Sequence, residues 1–413
     1  MRKRTGDWRD LLSAYALALD AKKIYVGFIA ALYTFVMMAA AASVYYVASV
    51  AGLVPASDAS RALASLGDSW PQHLIAPVAN GAGMQMLCTF LVLLNPFHSN
   101  LAHFVLSVLF YLALFWAWSG TGGIISRLVA LEYARDDLPT LTEARSMVRA
   151  RRRAYFMAPL MPLVVIVFLS GLNMLGGLVG SGWYIGKLLL IFPGFPLLTA
   201  STLIIVFLIV FGLLSFGLMM PAVSVGGKDA FESWTAAYSY VLWGLRRFIG
   251  YSVVAGLIGV IAVIVAWALT ELLIYLICQT VSIGYVSPTP WIIYHAGVTE
   301  GRLAITIGPA NQGFACVLSS ILVALMLLLR ALPVGYAFSY FFTANTIMFF
   351  LLRKDQDNVD IEELFEEAPE EDEAGAAAEA PGAESGAAGG APGGSQGEQR
   401  GEGGEPSDEG ISE

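Results

Sequence analysis

The chain holds four histidines, His73, His98, His103 and His295. A catalytic zinc takes three protein ligands and keeps a fourth position open. His98 and His103, five residues apart, project about 140° from one another around a helix. No metal or other cofactor is therefore expected. Gly182 to Lys187 imitates a phosphate loop, but its first glycine is one residue too close to Gly186, and Leu188 stands where Ser or Thr would hold magnesium. Cys-x-x-Cys and His-Glu-x-x-His do not occur. Cys88, Cys278 and Cys316 lie in apolar surroundings, where an inert buried thiol is the ordinary reading; an outer-face disulfide between Cys278 and Cys316 is the alternative. No catalytic residues are assigned, and the chain is expected not to be an enzyme.

Two ionisable residues inside long apolar runs carry more weight, because intramembrane charge is costly and marks a function or a partner. Glu271 lies 24 residues beyond Arg247, and Arg330 lies 23 residues before Arg353. At 1.5 Å per residue both stand about 35 Å above the basic rim. They are expected to form a structural ion pair at the outer edge of the hydrocarbon; otherwise each reaches the outer interface separately.

The elements that must position such a pair follow from hydropathy. The 413 residues are 57% hydrophobic and 13% charged, with a mean hydropathy of +0.68, which is the range of membrane proteins. A bilayer core about 30 Å thick needs about 20 apolar residues per helix, with every backbone polar group paired inside it. Six segments qualify: 24–51, 101–126, 155–180, 200–223, 248–280 and 314–350. Residues 84–97 and 183–200 are apolar but short or interrupted, by Asn95-Pro96 in the first and by Lys187, Pro193 and Pro196 in the second.

Charge decides between six spans and more. Residues 355–413 hold 19 acidic residues and one basic residue, Arg400, leaving 22 basic and 13 acidic residues before them. With six spans, 18 of those 22 basic residues fall on one side, in the N-terminus, the second and fourth connections and the exit. A lone crossing by 84–97 or 183–200 would put later basic clusters on the wrong face. Both are read as outer-face or re-entrant pieces, and both termini as cytoplasmic. Met1–Arg4 and the following apolar run resemble a signal peptide, but the run is about 28 residues against the 7–15 of a signal core, so an uncleaved anchor is expected.

Ahead of spans one, three and five, residues 5–23, 140–153 and 229–247 run from a capping residue through an amphipathic stretch to a basic cluster. Thr140 with Glu143, and Asp229 with Glu232, have capping-box spacing. Leu141, Met147, Val148 and Tyr155, and then Phe231, Trp234, Tyr238, Val241 and Leu245, make the apolar stripes. Such helices are expected to lie flat on the leaflet as anchors, with lipid sensing or partner docking as the functional reading.

Three segments carry a resemblance. They are Gly122-Gly123-Ile124-Ile125-Ser126-Arg127-Leu128 through Glu132-Tyr133-Ala134-Arg135-Asp136; Gly226-Gly227-Lys228-Asp229-Ala230-Phe231-Glu232-Ser233 through Tyr238-Ser239-Tyr240-Val241; and Asn345-Thr346-Ile347 with Phe350-Leu351-Leu352-Arg353-Lys354-Asp355, then Asp360 to Phe365. Together they resemble an uncharacterised family of bacterial multispan integral membrane proteins over most of residues 20–367. More loosely, the 229–240 helix after the Pro221-containing span is similar to the membrane domain attached to some glycerophosphodiester phosphodiesterases, without their catalytic barrel. The resemblance implies a bacterial inner-membrane location, about six helices and no established activity. The outer loop 281–312 has no counterpart in it.

The expected architecture is an all-α, polytopic transmembrane bundle: a basic, amphipathic N-terminus (1–23), a six-span membrane domain (24–354) and a disordered acidic cytoplasmic tail (355–413) opened by a short helix at 359–367. The tail lacks the apolar area to offset its ordering entropy. Its charge excludes nucleic acid as a ligand and allows a basic cytoplasmic protein partner. Beyond the lipid bilayer no partner, oligomeric state or substrate is legible. A non-enzymatic scaffold or assembly factor fits best. The alternative is a transporter or permease-like component, whose polar path only Asn173, Glu271, Gln279 and Arg330 are available to line.

Overall fold

The computed structural model describes residues 6–52, 101–182, 184–283, 292–299, 302–309 and 314–364. A 3-10 turn at Trp8–Ser13 and helix α1 (Ala14–Leu17) lead to α2 (Ala21–Val50). Then come α3 (Leu101–Arg135), α4 (Leu141–Ala150) and α5 (Arg152–Ser181). Helix α6 (Tyr184–Leu189) passes through a π-type turn at Leu190–Gly194 into α7 (Phe195–Gly226), followed by α8 (Ala230–Trp243) and α9 (Leu245–Ile283). Strands β1 (Ile292–Thr299) and β2 (Arg302–Pro309) precede α10 (Phe314–Asp357).

Six of these helical stretches are long and apolar enough to cross a membrane: Ala21–Tyr45, Ala102–Arg135, Arg152–Ser181, Tyr184–Gly226, Leu245–Ile277 and Leu328–Asp357. The chain is an all-α, multi-pass membrane bundle. The doubtful stretch 183–200 is not a separate crossing. It supplies α6, the turn at Leu190–Gly194, where Phe192 leaves helical geometry (φ −141°, ψ 107°), and the first turn of α7. Residues 84–97 lie outside the described residues, as do His73, His98 and Cys88.

Packing is unequal. Of the α10 window, 72% is buried inside the protein, against 6% for α5 and 11% for α9. Helix α10 packs on α2, α3, α7 and α9, and so forms the axis of the bundle. Helices α5 and α9 turn Val167, Phe168, Met174, Leu257, Val260 and Ile264 outward, all more than half exposed. At about 25 cal/mol per Å² such surface is untenable in water and natural in hydrocarbon. The α2–α10 crossing is close because Gly27 meets the Gly335 carbonyl, leaving no room for a Cβ on either helix. Gly176 and Gly180 likewise face their own chain, against Leu198 and Leu190, as intramolecular packing requires.

The amphipathic stretches are covered differently from the flat arrangement expected. Thr140 does cap α4, its hydroxyl accepting from the Glu143 amide at 3.3 Å. The stripe of α4, Ala144, Met147 and Val148, is buried, and α4 packs on α3. Helix α8 packs on α5 and α7, burying Ser233, Ala236, Ala237, Tyr238, Tyr240 and Val241, while Phe231 stays exposed. Protein, not lipid, covers most of these faces. The N-terminal stretch breaks at Ala18–Asp20, between α1 and α2, and buries Asp10, Leu11, Ala14 and Leu17 against α9 and α10.

Two further differences concern the ends of α9 and α10. Part of the expected outer loop 281–312 forms an antiparallel hairpin, with Ile292 opposite Pro309 and Thr299 opposite Arg302, an addition to the helical bundle. The expected tail boundary at 355 falls inside α10, which runs to Asp357 and stops at Asn358 in a left-handed conformation (φ 53°). No helix follows within 359–364. Residues Ile361 and Glu362 form a turn, and Leu364 tucks back into the core at 8% exposure. A compact unit spans Met1–Glu366.

Candidate functional site

The three segments that carry the resemblance converge. Gly122 and Gly123 on α3 have no side chain because the Phe342 ring of α10 lies over the first, and the Tyr155 ring of α5 would meet a Cβ on the second at 2.9 Å. The Tyr155 hydroxyl sits 2.9 Å from Ser224 Oγ on α7. Arg127 Nη1 donates to the Ser224 carbonyl at 2.9 Å, and Arg151 Nη1 donates to the carbonyl of Gly227. Gly227 caps α7 in the left-handed region (φ 59°), a conformation that a side chain would strain. Each arginine thus satisfies a carbonyl at a helix end that has no partner within its own helix.

Beside this knot, Lys23 is fully buried, donating to the Leu17 carbonyl at 2.9 Å and pairing with Glu132. Asp10 Oδ2 accepts from the Gly6 amide at 2.8 Å and from the Tyr133 hydroxyl at 2.9 Å. The N-terminal segment is therefore fastened to α3 by the Asp10–Tyr133 hydrogen bond and the Lys23–Glu132 pair, while Leu11 and Leu17 anchor it on α9 and α10. Neither Lys23 nor Glu132 was singled out from sequence. The available signal was Glu132 as the lone acidic residue within Leu101–Arg135.

The exit of α10 is moored on the same end. Arg247 Nη1 lies 2.9 Å from Asp355 Oδ2, Tyr251 donates to the same oxygen at 3.1 Å, and Tyr240 donates to Asp357. Gln356 Nε2 reaches the Tyr240 carbonyl at 2.9 Å, and Arg353 Nη1 reaches the Glu363 carbonyl at 2.9 Å. Burial, and then the carboxylate of Asp357 beside it, push the Tyr240 phenol well above its ordinary range, so it stays a donor. Burial also raises Tyr238, whose hydroxyl donates to the Leu208 carbonyl at 2.8 Å.

Glu271 and Arg330 are brought together: Arg330 Nη2 donates to Glu271 Oε2 at 2.9 Å. The Arg330 side chain is 4% exposed and that of Glu271 26%. Exposed apolar residues continue past Glu271 to Leu272, Leu273 and Leu276, so lipid-facing side chains flank the pair on both sides. Asn173 meets Ser201 between α5 and α7, at 2.5 Å, apart from the α9–α10 pair. Thus two of the expected path-lining residues form one node and a third belongs to another. His103 is buried, with its ring 5.1 Å from Tyr45 in an edge-on contact. The side chains of Cys278, Cys316 and His295 lie outside the description. Among the described residues no three His, Cys, Asp or Glu side chains are grouped to hold a metal ion.

The chain matches no protein-family model, no curated protein and no solved structure with which it was compared.

Proposed function

We propose that this chain is a non-enzymatic scaffold of the bacterial cytoplasmic membrane, with both termini in the cytoplasm, that presents its acidic C-terminal segment to a basic protein partner. The observation that supports this is the mooring of the exit. Asp355, Gln356, Asp357 and Glu363 are each bonded to α8, α9 or α10, and Leu364 is buried, so the acidic segment leaves from a fixed point on the most buried helix of the bundle. The remaining polar clusters join helices to one another, as a rigid holder requires.

The test is crosslinking and capture from native membranes with the full chain and with a chain ending at Glu366. Ending it there keeps every mooring contact, which a cut after Lys354 would not. A discrete basic partner captured by the full chain, and lost both on truncation and on changing the tail carboxylates to amides, supports the reading. An identical profile for all three proteins overturns it.

A further inference from the structure

Lys23, Arg247, Arg330 and Arg353 each meet a carboxylate of the protein, while Arg127 and Arg151 are turned onto backbone carbonyls. Arg149, Arg152 and Arg153, where α4 turns into α5, do neither, as is also true of Arg9, Arg145, Lys228 and Arg246 among the described residues. Among the described residues no carboxylate pairs with any of them. Arg149 and Arg153 are exposed. Arg152 is held in place by something other than an anion.

Its guanidinium carbon lies 4.2 Å from the centroid of the Trp116 ring on α3. The group also lies over Gly120, where a Cβ would be 3.7 Å from Cζ and from both Nη atoms. Arg152 Nε is buried and makes no hydrogen bond, so the two terminal nitrogens are the donors left for an anion. Phe156, one turn along α5, closes the joint edge-on against Trp116 at 5.0 Å.

The same ring stands at the foot of an apolar seam. Val105, Leu109, Leu112 and Trp116 follow one another at helical spacing on α3, and all are exposed. Met157 is exposed one turn beyond Arg153. An oriented cation thus stands at the end of an exposed apolar stripe, with two exposed cations within three residues of it in sequence.

We propose that this corner is the seat of one anionic phospholipid. Its phosphate engages the Nη nitrogens of Arg152, with Arg149 and Arg153 completing the neutralisation, and an acyl chain lies along Leu112, Leu109 and Val105. The planar guanidinium, immobilised on Trp116, is suited to a phosphate in a way that a mobile ammonium is not. The occupant is a lipid because the cations end in an apolar stripe that a free anion would leave uncovered.

The full chain in detergent is titrated with phosphatidylglycerol or phosphatidylcholine, and bound lipid is counted by native mass spectrometry. Changing Arg152 and Arg153 together to Gln should weaken phosphatidylglycerol binding roughly thirtyfold, about fivefold for each cation removed from a membrane surface. Arg149→Gln with Arg153→Gln, both at exposed positions that leave the Trp116 stack intact, should give a comparable loss. Arg9→Gln with Arg246→Gln, an equal change of charge elsewhere, should give none. Equal losses in all three variants would reduce the seat to the diffuse field of a basic surface. Displacement of the lipid by glycerol phosphate as readily as by short-chain phosphatidylglycerol would make it a free-anion site. Either result overturns the proposal.

Discussion

Arg330→Met, Glu271→Gln and the double variant form a cycle that measures what the pair between α9 and α10 is worth. The Arg330 side chain is 4% exposed and its Nε has no acceptor, and among the described residues Glu271 is the carboxylate that holds this cation. Removing one partner of a buried pair costs about 3–5 kcal/mol, because the other charge is left desolvated. Here Glu271 retains 26% exposure, which lets water recover part of that loss after Arg330→Met, so about 2–4 kcal/mol is expected. Glu271→Gln leaves a guanidinium that cannot shed its proton facing a neutral acceptor, and should cost at least as much. The double variant replaces an ion pair by neutral groups of similar volume and should return to within about 1 kcal/mol of the wild type. The coupling is then at least about 3 kcal/mol. The assay is reversible unfolding in mixed micelles followed by tryptophan fluorescence, with accumulation in membranes as a second readout. A double variant no better than Arg330→Met, or a coupling below about 0.5 kcal/mol, would refute the idea that the two charges stabilise one another.

Other perturbations separate the joints at the basic end. Lys23→Met should destabilise by about 3 kcal/mol by stranding Glu132 and the Leu17 carbonyl, and Glu132→Gln should recover part of it in the double variant, read by the same unfolding assay. Gly227→Ala, at φ 59°, should cost about 1–2 kcal/mol, and Gly123→Leu should cost more because Tyr155 occupies the space. Burial, and then Asp357 beside it, raise the Tyr240 phenol above its ordinary value, so the folded state favours the neutral phenol. Its contribution to stability is fully present below about pH 10 and is lost as pH rises toward the folded value. A difference phenolate titration between wild type and Tyr240→Phe should place the missing step above pH 10; a step at or below it would contradict the bond to Asp357. Ending the chain after Lys354 should lower the thermal midpoint of the purified protein, whereas ending it after Glu366 should leave the midpoint unchanged, since only the first cut removes Asp355, Asp357 and Leu364.

Much of the membrane fold was legible because hydrocarbon leaves the backbone few choices. Long apolar runs gave six spans close to the observed helices, and the 1.5 Å rise placed Glu271 and Arg330 opposite one another. What hydropathy could not show was which surface covers an amphipathic face. Tyr238 and Val241 have the periodicity of a lipid-facing stripe and of a helix–helix contact alike. The difference is made by Ala236, Ala237 and Gly212, whose small size lets α8 approach α7, and by a Leu208 carbonyl waiting for the Tyr238 hydroxyl. The end of α10 was misjudged for a related reason. Acidic composition predicts solvation from Asp355 onward, yet Asp355 and Asp357 are held by Arg247, Tyr251 and Tyr240, which lie more than 100 residues away in sequence. The strands at 292–299 and 302–309 carry a β-branched and alternating signal in Ile292, Ile293, Val298, Ile305 and Ile307, but they lie in the 281–312 segment that the sequence offered only as a loop without counterpart in the resemblance.

The distribution of charge bears on what the bundle is for. A permeation path needs polar groups that face one another across a gap and exchange partners as a solute passes. Ser201 donates to Asn173 Oδ1, and Arg330 pairs with Glu271, so each node closes a helix pair. At the basic end the same economy ties the N-terminal segment, α3, α5, α7 and α8 around the last turns of α10. Arg152 departs from that pattern by resting on the Trp116 ring, with Arg149 and Arg153 exposed near it in sequence. Among the described residues none of the three has a carboxylate partner, so they cost the fold a self-repulsion that the Arg152–Trp116 stack between α5 and α3 offsets in part. Their natural counter-charge is the membrane itself, and a scaffold held at one corner by an anionic lipid would have its rotation in the bilayer fixed, and with it the direction in which its acidic segment departs.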